Sequence, residues 1–252
     1  MKILVDTQDK RNQHVLKLLQ NAGKKAYVYL EYINKIEQGD IIIFSPAKKF
    51  IYEEVINFCP NVTIYCGNIP QDLLEILINK QIKIFNYLED ESFSIKNAKL
   101  TAEGVLALIL THTEKSITEL KVLFLGGGRI TKASAILLQK LGTYVAVASY
   151  NIKDYENAEY YSNKTYFQGS FIKDLGEYDV IVNTRPFNYI TEQMINKISA
   201  STLFMETASV KSIGEDKKYN FTYLPAPALP QKYACLSAGK IIADKILKEI
   251  NV

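Results

Sequence analysis

Short apolar runs alternate with longer amphipathic runs along the whole chain. In the first part the apolar runs fall at 2–6, 26–30, 40–45, 62–67 and 82–87. Each is almost continuously apolar, as a parallel strand covered on both faces must be. Helical periodicity lies between them, near 11–22, 49–58 and 71–79. The same pattern then starts again. Strands are predicted at 121–125, 143–149, 178–184, 202–207 and 221–224, and helices at 129–141, 191–198 and 234–250. Strand–helix–strand alternation closes into parallel sheets through right-handed crossovers. The predicted fold is therefore α/β, with two Rossmann-like domains.

A polar stretch without period, 89–99, marks the boundary between the two halves, and the helix that follows it is expected to link them. A helix over 101–112 is expected after it, with the Thr101 hydroxyl capping the first turn. The expected domains are 1–98 and 99–239, and the final helix, about 240–252, is available to return onto the first. A site is expected in the cleft between the domains, at C-terminal strand ends.

Composition narrows the class. Of 252 residues, 48% are hydrophobic and 23% charged, enough apolar surface for packed cores. Thirty basic residues face 27 acidic ones, and the basic residues are scattered, so no nucleic-acid footprint is expected. Cys59, Cys66 and Cys235 are odd in number and lack metal-type spacing. They read as buried thiols in a reducing compartment. No run approaches the roughly 18 apolar residues of a membrane span, and the start of the chain lacks a leader pattern. A cytoplasmic location and a homo-oligomeric state are expected. His14 and His112 fall on predicted helices and suggest no metal or nucleophile chemistry.

The segment with the strongest chemical signal is Val122-Leu123-Phe124-Leu125-Gly126-Gly127-Gly128-Arg129-Ile130-Thr131, an apolar strand running through glycines into a helix. Gly126 permits a tight turn, Gly128 lets the backbone approach a pyrophosphate, and Gly127 between them is expected at the cofactor. The helix start at Arg129 and Ile130 offers free amides to the anion. Thr131 stands where a third glycine usually sits. The second domain is therefore expected to bind a dinucleotide. No carboxylate ends the following strand, Val145-Ala146-Val147-Ala148-Ser149, so NADP is favoured over NAD, and Ser149, Asn151 and Lys153 are expected at the ribose end. Asn183-Thr184-Arg185-Pro186 and Glu206-Thr207-Ala208-Ser209 end two further strands. Asn183 and Thr184 are expected at the cofactor.

These motifs, taken in order with Asp9-Lys10-Arg11-Asn12, Asn97-Ala98-Lys99-Leu100-Thr101-Ala102-Glu103-Gly104, Pro227-Ala228-Leu229-Pro230 and Ser237-Ala238-Gly239, resemble the A-subunit of bacterial dipicolinate synthase. The resemblance covers nearly the whole chain. It implies an NADP-linked oxidoreductase that converts a dihydrodipicolinate to dipicolinate, working with a flavoprotein-like B-subunit in spore-forming bacteria. A small carboxylate substrate would draw on Arg11, Asn12, Asn97, Thr101, Arg185 and Pro227. Glu103, Glu206 and Tyr233 are equal candidates for a general base.

The chain departs from the family at several places. Val210 and Leu236 stand where the family has an arginine and a lysine, Ser212 and Ile213 replace glycines, and Tyr150 replaces an arginine after the second strand. Two functions stay open on these grounds. One is a dehydrogenase of a small carboxylate. The other is a nucleotide-binding regulatory or partner subunit without catalysis.

Overall fold

The structure, a computed structural model, describes residues 1–213 and 218–250. It divides into two compact units, Met1–Asn97 with Pro230–Val252, and Ala98–Leu229. The last two residues of the predicted return helix, 251 and 252, lie outside the described residues.

The first unit begins with β1 (Ile3–Val5), α1 (Lys10–Asn21), β2 (Ala26–Val28) and the single turn α2 (Tyr29–Tyr32). It continues through β3 (Ile41–Ile43), α3 (Tyr52–Ile56), β4 (Thr63–Cys66), α4 (Gln71–Asn79) and β5 (Lys83–Asn86). The strands are parallel, in the order β2-β1-β3-β4-β5. Alternate residues face opposite sides. Ile3, Val5, Ile41 and Ile43 enter one core, and Leu4, Ile42, Ile64 and Cys66 enter the other. Burial pushes the Cys66 thiol up to about 12, which leaves it protonated and unreactive. Cys59 and Cys235 are half-buried, and none of the three is in a disulfide.

Helix α5 (Glu91–His112) carries the chain into the second unit. There β6 (Lys121–Leu125), α6 (Arg129–Lys140), β7 (Tyr144–Ser149), α7 (Ile152–Ala158) and β8 (Lys164–Phe167) are followed by β9 (Val180–Asn183), α8 (Glu192–Ile195), β10 (Leu203–Glu206) and β11 (Thr222–Pro225). The six strands are parallel, in the order β11-β10-β9-β6-β7-β8. Val122, Phe124, Val145, Val147, Val180 and Val182 fill one face, and Leu123, Leu125, Ala146, Ala148 and Ile181 the other. Each fully buried Val, Leu, Ile or Phe among them contributes about 1.5–3 kcal/mol.

The chain ends with α9 (Leu229–Tyr233) and α10 (Cys235–Ile250). α10 packs on α1 in the first unit and adds Ile242, Ala243 and Ile246 to its core. The approach is close: a Cβ on Gly239 would stand 2.6 Å from the Arg11 carbonyl oxygen and 2.9 Å from His14 Cβ.

Several predicted boundaries need correction. The stretch 89–99 is not irregular. From Glu91 it is the first half of α5, so Thr101 lies inside the helix and caps nothing. Asp90 does the capping, its side chain accepting from Phe93 N at 3.0 Å. The strand predicted at 26–30 ends at Val28, where the chain turns into α2. The helix predicted at 49–58 shrinks to α3, and the one at 191–198 to α8. α7 and β8 were not predicted at all. β8 is an edge strand, and only Tyr166 in it is buried, so it lacks a continuous apolar run. No helix among the described residues is long and apolar enough to cross a membrane.

Candidate functional site

Each sheet reverses its strand order once, and polar residues gather at the carboxyl ends of the strands there. In the second unit the reversal lies between β6 and β9. The turn after β6 is Gly126-Gly127-Gly128. Gly126 has φ +116, a region open mainly to glycine, and its amide donates to Ala148 O at 2.8 Å. A Cβ there would stand 2.4 Å from Thr184 Oγ1 and 3.0 Å from Arg185 Cγ. On Gly127 it would stand 2.6 Å from Asp154 Cβ. Gly128 differs: it opens α6, and a Cβ on it would meet nothing within 4 Å. Two glycines therefore serve the protein's own packing, while the third leaves open space at a helix start. Arg129 is exposed and Ile130 half-buried beside it.

Thr131 is fully buried, and its Oγ1 lies 3.1 Å from Thr184 Oγ1, which donates to Leu125 O. A side-chain hydroxyl pair thus joins helix to strand end where a glycine would permit contact alone.

After β9, Asn183 is a hub. Its Nδ2 donates to Glu206 Oε1 at 2.7 Å and to Arg185 O, while its Oδ1 accepts from Tyr189 Oη at 2.8 Å and from Arg185 N. Glu206, buried at the end of β10, also accepts from the Ser212 amide at 2.8 Å and from the Ser212 hydroxyl. Burial pushes the Tyr189 hydroxyl well up, against the opposing charge of Arg185. The Arg185 guanidinium lies over Tyr150 at 4.0 Å and over Tyr189 at 4.3 Å from the ring centroids. Its Nη1 is buried without a hydrogen-bond partner among the described residues.

After β7, the Ser149 hydroxyl donates to Asn151 O and accepts from Asn151 N. Asn151 caps α7 by accepting from the Asp154 amide, and Lys153 is exposed. Asp154, in the first turn of α7, lies against Gly127, so a carboxylate does stand beside the turn. Sequence reasoning missed it, because it lies beyond the strand end on a helix that was not predicted. Tyr189 was missed too, because nothing local marks it.

In the first unit the reversal lies between β1 and β3. Asp9 caps α1, accepting from Arg11 N at 2.8 Å, and its Oδ2 accepts from Arg11 Nη2 at 2.6 Å. Both residues are buried. Burial pushes the Asp9 carboxyl up, but the hydrogen bonds and charge of Arg11 outweigh it, and the carboxyl lies below its ordinary value. Asn12 Nδ2 donates to Asp6 O, and its Oδ1 is buried without a partner among the described residues. Asn97 and Thr101 lie on α5, with Glu103 exposed on the same helix; Pro227 is exposed after β11, and Tyr233 exposed in α9. No cluster of metal-ligating side chains occurs among the described residues.

No protein-family model matches the sequence. The dipicolinate synthase A-subunit of Bacillus subtilis is 25% identical over 217 residues, 83% of this chain and 73% of that protein. The chain is a homologue of the dipicolinate synthase A-subunit. The crystal structure of the Bacillus subtilis protein superposes with a TM-score of 0.82 at 22% identity, covering 100% of this chain and 97% of that one. The A-subunit from Bacillus halodurans gives 0.83 at 20% identity, covering 98% and 96%. D-lactate dehydrogenase of Lactobacillus jensenii, solved with NAD+, gives 0.62 at 13% identity, covering 99% and 96%. The dipicolinate synthase fold, two parallel-sheet α/β domains of the Rossmann type, is thus shared by this chain and by nicotinamide-dependent dehydrogenases.

Proposed function

We propose that this chain is a nicotinamide-dinucleotide-dependent oxidoreductase of a small carboxylate, with NADP as the first cofactor and dihydrodipicolinate as the first substrate to try. The supporting observation is the contrast within the glycine turn: Gly126 and Gly127 are packed, whereas Gly128 leaves open space at the start of α6. Backbone amides from Gly127 to Ile130 would hold the pyrophosphate, as helix starts at such turns do, with Gly126 shaping the turn through its bond to Ala148 O. Ser149, Asn151 and Lys153 would lie at the ribose end, and Asn183 and Thr184 on the other side of the turn. The bound dinucleotide supplies a hydride acceptor, and gain of aromaticity in the product drives the reaction. Substrate contacts are assigned to Arg11, Asn12, Asn97, Thr101 and Pro227. Glu206 already accepts from Asn183 and Ser212, so it is read as the group that positions Asn183, leaving Glu103 and Tyr233 as candidate bases.

A second reading is a nucleotide-binding partner subunit without catalysis. Val210 and Leu236 favour it: both are exposed apolar side chains where the resemblance calls for cations. The flavoprotein-like B-subunit is the partner to test. Calorimetry with NADPH on wild type and Gly128→Val tests the binding site. The variant should keep its melting temperature within a few degrees and lose binding, because its side chain enters open space. Equal affinity in a folded variant places the site elsewhere. NADPH formation from dihydrodipicolinate, with and without the flavoprotein-like partner, then separates the enzyme from the silent subunit.

A further inference from the structure

The least explained polar group of the second unit is Arg185. It follows β9, and its stem lies across the first glycine of the turn: a Cβ on Gly126 would stand 3.0 Å from Arg185 Cγ. Its head extends to the next strand end. The guanidinium carbon lies 4.0 Å from the Tyr150 ring centroid, one residue past β7, with Tyr189 at 4.3 Å and Phe187 at 5.8 Å. This is a guanidinium flanked by aromatic rings, and Asn183 fixes one of them through the Tyr189 hydroxyl. Such stacking orients a planar cation and leaves its N–H groups free to act in the ring plane.

The guanidinium also meets the Tyr189 hydroxyl as a hydrogen-bonding neighbour, but its Nη1 is buried with no partner among the described residues. A buried N–H on a cation that lacks an acceptor is costly, and native proteins retain such groups where an anion completes them. The location says which anion. In folds of this strand order the end of the second strand, here β7, meets the adenosine ribose, and an arginine nearby accommodates a 2′-phosphate. No carboxylate occupies Ser149 or Tyr150. Asp154, in the first turn of α7, lies against Gly127 rather than Gly126.

We infer that Arg185, stacked on Tyr150, is the residue by which this protein recognises the 2′-phosphate of an NADP-type dinucleotide. The inference rests on the dinucleotide reading above and adds to it the group that sets cofactor choice. The cation reaches the ribose end from the loop after β9, not from the strand that ends there.

The test is a comparison of NADPH and NADH affinities by fluorescence titration, with adenosine 2′,5′-bisphosphate and 5′-AMP as minimal probes. Wild type should bind each 2′-phosphorylated ligand about tenfold more tightly than its partner, as one charge-assisted contact allows. Arg185→Leu should abolish that difference while leaving NADH affinity within about twofold. Arg185→Lys, which keeps the charge without the planar fork, should retain part of it and guards against a Leu variant that fails to fold. Equal weakening of NADPH and NADH in a folded variant overturns the inference and moves Arg185 to the pyrophosphate. A wild-type preference for NADH overturns it in favour of Asp154 at the ribose. A preference that survives Arg185→Leu overturns it too. Wild type that binds neither dinucleotide overturns both this inference and the reading beneath it.

Discussion

Asp9 and Arg11 show how residues two apart in sequence can close on one another. Asp9 caps α1 and at the same time receives the guanidinium of a residue in the first helical turn, all within a buried setting. Removing one charge of such a pair strands the other, at a cost of about 3–5 kcal/mol. The Asp9 carboxyl lies below its ordinary value in the folded chain. Its stabilising contribution is therefore complete above that ordinary value and is lost as the pH falls through the folded-state value. Asp9→Asn should lower stability at neutral pH and flatten the fall below about pH 4. Urea denaturation from pH 3 to 7 measures both effects. If wild type and variant lose stability in parallel on acidification, the pair carries no charge linkage. At this scale the sequence made the glycine turn legible because strand, glycines and helix are contiguous. Tyr189 and Asp154 were not legible, because they come to the turn only through the pairing of β9 with β6 and the packing of α7.

Helix α10 depends on one small residue. Gly239 sits over the Arg11 carbonyl oxygen at a distance no side chain tolerates. Gly239→Ala should push α10 away from α1 and lower stability by about 1–3 kcal/mol, despite alanine's better helix propensity. Thermal unfolding checks it, and a variant more stable than wild type would show that the helix pair slides without cost. Strands buried on both faces were legible from their unbroken apolar runs, and 121–125 was placed to the residue. The first half of α5 was not. Its inward positions are Phe93, Ser94, Ala98, Thr101 and Ala102, so small and polar residues hide the periodicity, and Ile95 faces outward. β8 escaped for the complementary reason that an edge strand need not be apolar throughout.

For the whole molecule, the important feature is that the first unit is built from two separate stretches of chain, 1–97 and 230–252. Its core includes Ile242, Ala243 and Ile246 from the second stretch. A chain ending at residue 229 should therefore lose cooperative unfolding of the first unit while the 98–229 sheet still melts as a unit. Hydrogen exchange would show protection in β6, β7 and β9 but little in β1 and β3. Retained protection in β1 and β3 would mean that the five-stranded sheet needs no help from α10. The same division also bears on biosynthesis. A ribosome releases residues in order, so the sheet of the first unit emerges early yet must wait for the helix that covers it. The 98–229 segment can fold completely in that interval. The 1–97 stretch is thus made before the 98–229 segment and finished after it.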